Sequence, residues 1–216
     1  MTDTHWPRVW IAFGAGCIAA FQIGKTFASL ALIIDELSLS LIEAGLILSL
    51  FSLIAAIAGS GFGLLSDRVG HLRMALTGLV VSAAGSFIGA LVSNIEFLLL
   101  SRLLEGFGFI LTIVALPSLI GRSASDRDRP LAMGLWGAFM PAGIGLSMII
   151  TPLLVDWHGW RGLWNDVGFM LLIWGTILYL GFRHSPVVPA RHMNAADFFA
   201  GILRLGPLLV VAGFVC

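Results

Sequence analysis

Long apolar runs broken by short polar joints organise the chain. The runs lie at residues 9–34, 41–65, 74–94, 97–120, 132–155 and 161–182, and each is long enough to cross a hydrocarbon core of about 30 Å as a helix. Between them stand Asp35 with Glu36, the stretch Ser66 to Arg73, Ser93-Asn94, the run Arg122 to Pro130, and Asp156 to Arg161. These joints carry the charges and turn formers that stop a span. A polar stretch from Arg183 to about Arg204 follows, and a seventh apolar run begins near Leu205 and stops at Cys216. That last run reaches only about 18 Å as a helix, too short to span.

Composition agrees with the pattern: 58% of the 216 residues are apolar and 11% are charged. A soluble enzyme domain and a disordered tail are both excluded, since soluble domains are about a quarter charged. With 12 basic against 12 acidic residues the net charge is zero, which argues against a nucleic-acid partner. Cys17 lies inside an apolar run and Cys216 at the last position, so no disulfide framework is expected. Arg8 before residues 9–21 has the form of a signal peptide, but the run continues past Lys25 to Ile34 without a clear cleavage site.

Charge asymmetry sets the expected orientation. Alternating the runs across a membrane places Arg8, Arg68, Arg73, Arg122, Arg127, Arg129, Arg183, Arg191 and Arg204 on one side and only Arg161 on the other. Basic residues near span ends stay cytoplasmic, so the N-terminus is expected there, in a plasma or inner membrane.

Three ionisable residues fall inside the spans: Lys25 in the first, Arg102 and Glu105 in the fourth. Each costs about 2.5–3.5 kcal/mol near a span centre unless it finds a partner. At 1.5 Å per residue, Lys25 and Glu105 both lie about 5 Å outside the midplane and Arg102 about 9 Å outside. Gln22, Lys25 and Ser29 share one face of the first helix, while Arg102, Glu105 and Thr112 form a looser stripe on the fourth. Two readings stand side by side. The residues are a buried ion cluster that only fixes packing, or they line a solute pathway, the default for intramembrane charge. Two cations against one carboxylate leave a surplus of one, which suits an anionic solute. On the second reading Gln22, Lys25, Arg102 and Glu105 are the candidate substrate-binding residues.

The second joint reads Gly63-Leu64-Leu65-Ser66-Asp67-Arg68-Val69-Gly70-His71-Leu72-Arg73. Gly63 permits close helix approach, Gly70 a tight turn, and Asp67 can cap a helix N-terminus or pair with a cation. The string resembles the signature loop of the major facilitator superfamily, roughly G-x-L-a-D-R-x-G-R-R, through Gly63, Leu65, Asp67, Arg68 and Gly70. His71 and Leu72 depart from it, and Arg73 places a cation one position late. The run Arg102-Leu103-Leu104-Glu105-Gly106-Phe107-Gly108 is similar to the family's fourth-helix pattern R-x-x-q-G-x-G, with Glu105 in place of Gln. Gly137 to Gly145 is similar to a fifth-helix antiporter pattern, with Met140 in place of the Gly before Pro141; Pro141 and Gly143 there read as a kink or packing point. A faint internal echo, Asp67 to Gly70 with Arg73 against Asp156 to Gly159 with Arg161, recurs about 89 positions later. Lys25, Ser101 to Gly108, Leu135-Trp136-Gly137 with Met140-Pro141, and Gly159-Trp160-Arg161-Gly162 look most like the cyanate-permease branch.

The resemblance implies an all-α membrane protein of six transmembrane helices, the N-terminal half of the family fold, built from two inverted three-helix repeats. Residues 1–182 would be the bundle, 183–204 a cytoplasmic linker, and 205–216 the truncated start of a seventh helix. It implies a secondary transporter that works by alternating access, with Gly63, Asp67, Arg68, Gly70 and Arg73 as a conformational latch, and the surplus of positive charge makes a small, anionic solute the expected cargo. Its expected partners are the solute, the lipid bilayer and a missing C-terminal six-helix half, with no cofactor, metal or catalytic residue. The rivals are an inactive remnant, an intramembrane enzyme and a channel. The enzyme lacks a motif, because His5, His71, His158, His184 and His192 all fall in tails or joints. The channel lacks a filter string.

Overall fold

The structure, a computed structural model, describes residues 3–184, without the side chains of residues 52–65. The expected linker beyond His184 and the seventh run lie outside the described residues, as does the surrounding of Gly63. Six helices follow one another: α1 Trp6–Leu37, α2 Leu41–Val69, α3 His71–Leu91, α4 Ile95–Ser123, α5 Arg129–Gly137 and α6 Phe139–Phe182. Among the described residues α1, α3, α4 and α6 are long and apolar enough to cross a membrane. The 29 residues of α2 extend for about 43 Å, which is also sufficient.

α6 has 44 residues, twice what one crossing needs, and its backbone breaks at Gly159 (φ 68°, ψ 179°). It therefore supplies two crossings, residues 139–158 and 160–182, and α5 leads into the first of them. The interruption between α5 and α6 falls at Ala138, whose N–H bonds Leu135 O. Pro141 explains it: a proline has no N–H to give Gly137 O, and its ring crowds that carbonyl. Gly143 has a different task. It lies against the backbone of Cys17 on α1, where an added Cβ would also meet the Cβ of Ala20 at 2.7 Å.

Two joints expected as polar loops are instead single-residue turns. Helix α2 runs on to Val69 and α3 begins at His71, with only Gly70 (φ 96°, ψ 132°) between them. The stretch Asp156 to Arg161 is likewise helical except for Gly159. Both glycines occupy positive φ, which a side chain would strain. They lie 89 positions apart, and adding 89 to Trp6 and His71 gives Ile95 and Trp160, the first residues of α4 and of the last crossing. The faint echo in the sequence is thus a repeat of backbone: α1 to α3 correspond to α4 to α6.

The two repeats interlock. α4 packs against α2 and α3, and α1 packs against both parts of α6. Small residues make the approach close. At Gly24 a Cβ would meet the Ser147 side chain and Ile144 O, and at Gly14 the Trp174 ring. The N-terminus, the end of α4 and the end of α6 meet at one end of the bundle: His5 N donates to Ser123 O at 2.8 Å, Thr4 Oγ1 to Asp128 Oδ2 at 2.6 Å, and Arg8 Nε to Gly181 O at 3.1 Å. Large apolar side chains such as Phe27, Ile42, Leu91, Phe97, Ile149 and Phe169 remain exposed on every crossing. That suits a lipid surround rather than water.

Candidate functional site

Lys25 and Glu105 meet, as their equal depth requires. Lys25 Nζ stands 2.6 Å from Glu105 Oε1, and both side chains are fully buried. Arg102, one helical turn earlier on α4, places Nη1 on the other carboxylate oxygen, Oε2. The depth reading puts Lys25 level with Glu105 and Arg102 about 4 Å further out. The structure has instead a triad in which one carboxylate serves two cations. An i, i+3 spacing on one helix puts Arg102 within reach of Glu105 whatever the other helices do.

Helix α3 delivers the residue that completes the lysine's shell. Gly85 and Gly89 let α4 and the last crossing come close: a Cβ on Gly85 would meet Glu105 Cγ at 2.8 Å, and one on Gly89 would meet the Trp164 ring. Between them Ser86 Oγ accepts a hydrogen bond from Lys25 Nζ and donates to Trp164 O at 3.0 Å. Trp164 then offers its face, with Lys25 Nζ 4.2 Å and Arg102 Cζ 5.7 Å from the ring centroid. Phe51 covers the guanidinium from α2 at 5.0 Å. Rings of this kind hold cations through their negative faces.

Several polar atoms in and around this cluster are buried without a hydrogen-bond partner among the described residues: both side-chain atoms of Gln22, Arg102 Nε and Trp164 Nε1. Gln22 stands one turn from Lys25 on the same face of α1, and only its backbone carbonyl is engaged, by Thr26 Oγ1 at 3.0 Å. Each such atom costs about 1–3 kcal/mol. Ser29 Oγ turns back to Lys25 O at 2.6 Å and Thr112 Oγ1 to Gly108 O at 2.9 Å, so neither faces the triad. Ser86, Trp164 and Phe51 are absent from the sequence expectation. One signal for Ser86 was available, the stripe Gly78, Ser82, Gly85, Ser86 and Gly89 on α3, since small residues mark close helix packing in membranes.

The expected latch residues lie at the N-terminal end of the bundle. Asp67 does not cap α3, whose first turn has no side-chain cap. The physical reason is the turn itself: α2 continues through Asp67, and a one-residue reversal at Gly70 leaves that side chain in the last turn of α2. It faces His71 instead, Oδ1 to Nε2 at 3.7 Å, while His71 Nδ1 lies 2.7 Å from Ser66 Oγ. Burial, with Arg122 nearby, pushes the His71 imidazole below its ordinary value, and Asp67 pulls the other way. No grouping of three His, Cys, Asp or Glu able to hold a metal occurs among the described residues.

Comparisons place this architecture. The inner membrane transport protein YajR of Escherichia coli (strain K12) is 28% identical over 183 residues, covering 81% of this chain and 39% of its own length. The cyanate transport protein CynX of Escherichia coli (strain K12) is 38% identical over 101 residues, 47% of this chain and 25% of CynX. The crystal structure of a bacterial homologue of the human lysosomal transporter Spinster superposes with a TM-score of 0.75 at 17% identity, covering 93% of this chain and 48% of that one. The chain thus spans less than half the length of the proteins it matches. An integral membrane bundle of two interlocked three-helix repeats, it matches the family over residues 12–216, and it belongs to the Major Facilitator Superfamily, a family of transporters rather than enzymes.

Proposed function

We propose that the chain works as the N-terminal six-helix half of a secondary transporter that moves a small anionic solute by alternating access across a plasma or inner membrane, with its N-terminus cytoplasmic. The observation that carries the reading is the charge of the buried cluster. Lys25 and Arg102 converge on the single carboxylate of Glu105 at 0–2% exposure, which leaves one uncompensated positive charge in a low dielectric. Such charge is costly for packing alone and suits an anion that arrives and leaves. Gln22, buried and unpartnered on the same face of α1, adds neutral hydrogen-bonding capacity. The cyanate transported by CynX is a small anion, which supports the class without fixing the solute.

The complete transporter includes a second six-helix half, against which Asp67, Arg68 and Arg73 dock as a latch when the halves rock. Pro141 and Gly143 keep the fifth crossing bent and closely seated on α1. The test is uptake by membrane vesicles containing the chain, with and without a coexpressed second half, of radiolabelled cyanate and acetate against galactose. Anion accumulation that disappears with Arg102→Ala is the expected result. Uptake of galactose instead would overturn the anionic class, and no uptake under either condition would identify a remnant.

A further inference from the structure

We propose that Arg102 and Trp164 form the anion subsite itself, that its ligand is monovalent, and that Lys25 positions Glu105 without touching the ligand; this deepens, and rests on, the reading of the bundle as an anion transporter. The argument begins with donors. A lysine ammonium has three. One goes to Glu105 and one to Ser86, and the remaining face of the ammonium lies on the Trp164 ring at 4.2 Å. Lys25 has nothing left to offer a solute.

Arg102 is the opposite case. Its guanidinium carries five N–H donors in a rigid fork, and Nη1 is spent on Glu105 while Nε is buried with no acceptor among the described residues. The guanidinium lies over the rings of both Phe51 and Trp164. The indole N–H of Trp164 is buried and also without an acceptor, and its ring centroid lies only 5.7 Å from Arg102 Cζ. Two buried donors of the same packed cluster that have already lost water gain most when a ligand oxygen or nitrogen reaches them. Because both are pure donors, the ligand must present acceptors, as a carboxylate or small oxyanion does.

Charge sets the valence. The triad carries a surplus of one positive charge, so a monovalent anion brings the buried cluster to zero. A divalent anion would leave a net negative charge in the same low dielectric, which is as unfavourable as the empty cluster.

Isothermal titration of the full chain in lipid nanodiscs tests this with sodium nitrate, acetate and sulfate as probes. Trp164→Phe keeps an aromatic ring beneath both cations and removes the N–H together with part of the ring. It should weaken nitrate or acetate binding on the order of tenfold, the loss of one charge-assisted hydrogen bond. The wild type should bind sulfate at least about tenfold more weakly than the better monovalent probe, for the charge reason above. The double variant Lys25→Met with Glu105→Gln keeps Arg102, Trp164 and the surplus charge but removes the carboxylate that anchors Arg102, so it should lose less monovalent affinity than Arg102→Lys does. Helical circular dichroism and size-exclusion elution verify the fold of each protein, and Arg102→Lys, which keeps the charge but removes Nε, provides a second reading of the donor claim with a similar expected loss. Wild-type affinity in Trp164→Phe or in a folded Arg102→Lys overturns the subsite. Equal affinity for sulfate overturns the valence, and a loss in a folded double variant as large as that of Arg102→Lys overturns the assignment of the ligand contacts to Arg102 rather than Lys25. If the wild type binds none of the three anions, the underlying anionic reading fails together with this one.

Discussion

Glu36, in the last turn of α1, is held by Arg161 near the start of the last crossing, 125 positions away. The same arginine donates through Nη2 to Val92 O at 2.8 Å, just past the end of α3, and lies over the Trp160 ring at 4.3 Å. Trp160 Nε1 also donates to Glu36. Three helix ends are thereby tied at the end of the bundle opposite the N-terminus. Arg161→Ala should lower stability by about 1 kcal/mol, since the pair is half exposed but the Val92 carbonyl loses its donor as well. Glu36 lies beyond the apolar run of α1, and its bonds from Trp160 and Arg161 hold its carboxyl below the ordinary 4.5. A depressed value means that the folded state binds fewer protons. The contribution is therefore complete above pH 4.5 and disappears as pH falls through the folded value. Thermal melts from about pH 6 to about pH 3 should show a steeper acid loss in the wild type than in Glu36→Gln; parallel curves would remove Glu36 from the account.

Topology follows from the ends of the helices. Ser125 bonds Thr4 and lies with the N-terminus, whereas Gly159 turns at the Glu36 end. With the basic residues concentrated at the first end, a reporter fused after Ser125 should stay cytoplasmic and one inserted between Asp156 and Arg161 should be exported. An exported reporter after Ser125 would invert the orientation.

The triad changes what a charge-balancing variant should do. Glu105→Gln strands two cations and should cost about 3–5 kcal/mol, as removal of one partner of a buried pair does. If Lys25 and Glu105 were an isolated pair, Lys25→Met together with Glu105→Gln would restore stability in full. Because Arg102 shares the carboxylate, the double variant still leaves one cation buried, and recovery should be partial. Unfolding in denaturant measures the difference. Full recovery would mean that Arg102 does not depend on Glu105.

Gly143 supplies a packing test remote from the charges. An added methyl would press on the Cys17 carbonyl and the Ala20 side chain, so Gly143→Ala should push α1 from α6 and destabilise the bundle by about 1–3 kcal/mol. Gly145, where an added Cβ would meet nothing within 4 Å among the described residues, is the matched control, and Gly145→Ala should be close to neutral. Equal melting temperatures for the two variants would count against the close contact.

What the sequence made legible follows a simple physical line. The span count and the meeting of Lys25 with Glu105 came from apolar length and a rise of 1.5 Å per residue, both local quantities. Trp164 and Ser86 were not legible, because an indole or a hydroxyl inside a span carries no charge that must find a partner at its own depth. Rotational position was also hidden: a helix apolar on all sides gives no period that says which face meets protein and which meets lipid. Of the two local readings of Asp67, a helix cap or a partner for a cationic neighbour, the cap is not seen, because α2 continues to Val69 and the turn at Gly70 is one residue long. The echo at 89 positions was faint in residue identity and plain in backbone, because a positive φ can be satisfied by one glycine in an otherwise different string.

The interlocking of the two repeats has a consequence for how the protein is made. Lys25 finds its counter-charge 80 positions later in the chain, and Gly143, which seats α1, is synthesised 126 residues after Cys17. At about 5–20 residues per second, the first helix waits some 4 to 16 s for Glu105 and longer for its packing partner. During that interval an unpaired lysine sits in a nascent membrane segment. The helix must therefore be sheltered by the insertion machinery, or be held at the lipid boundary, until the fourth helix arrives.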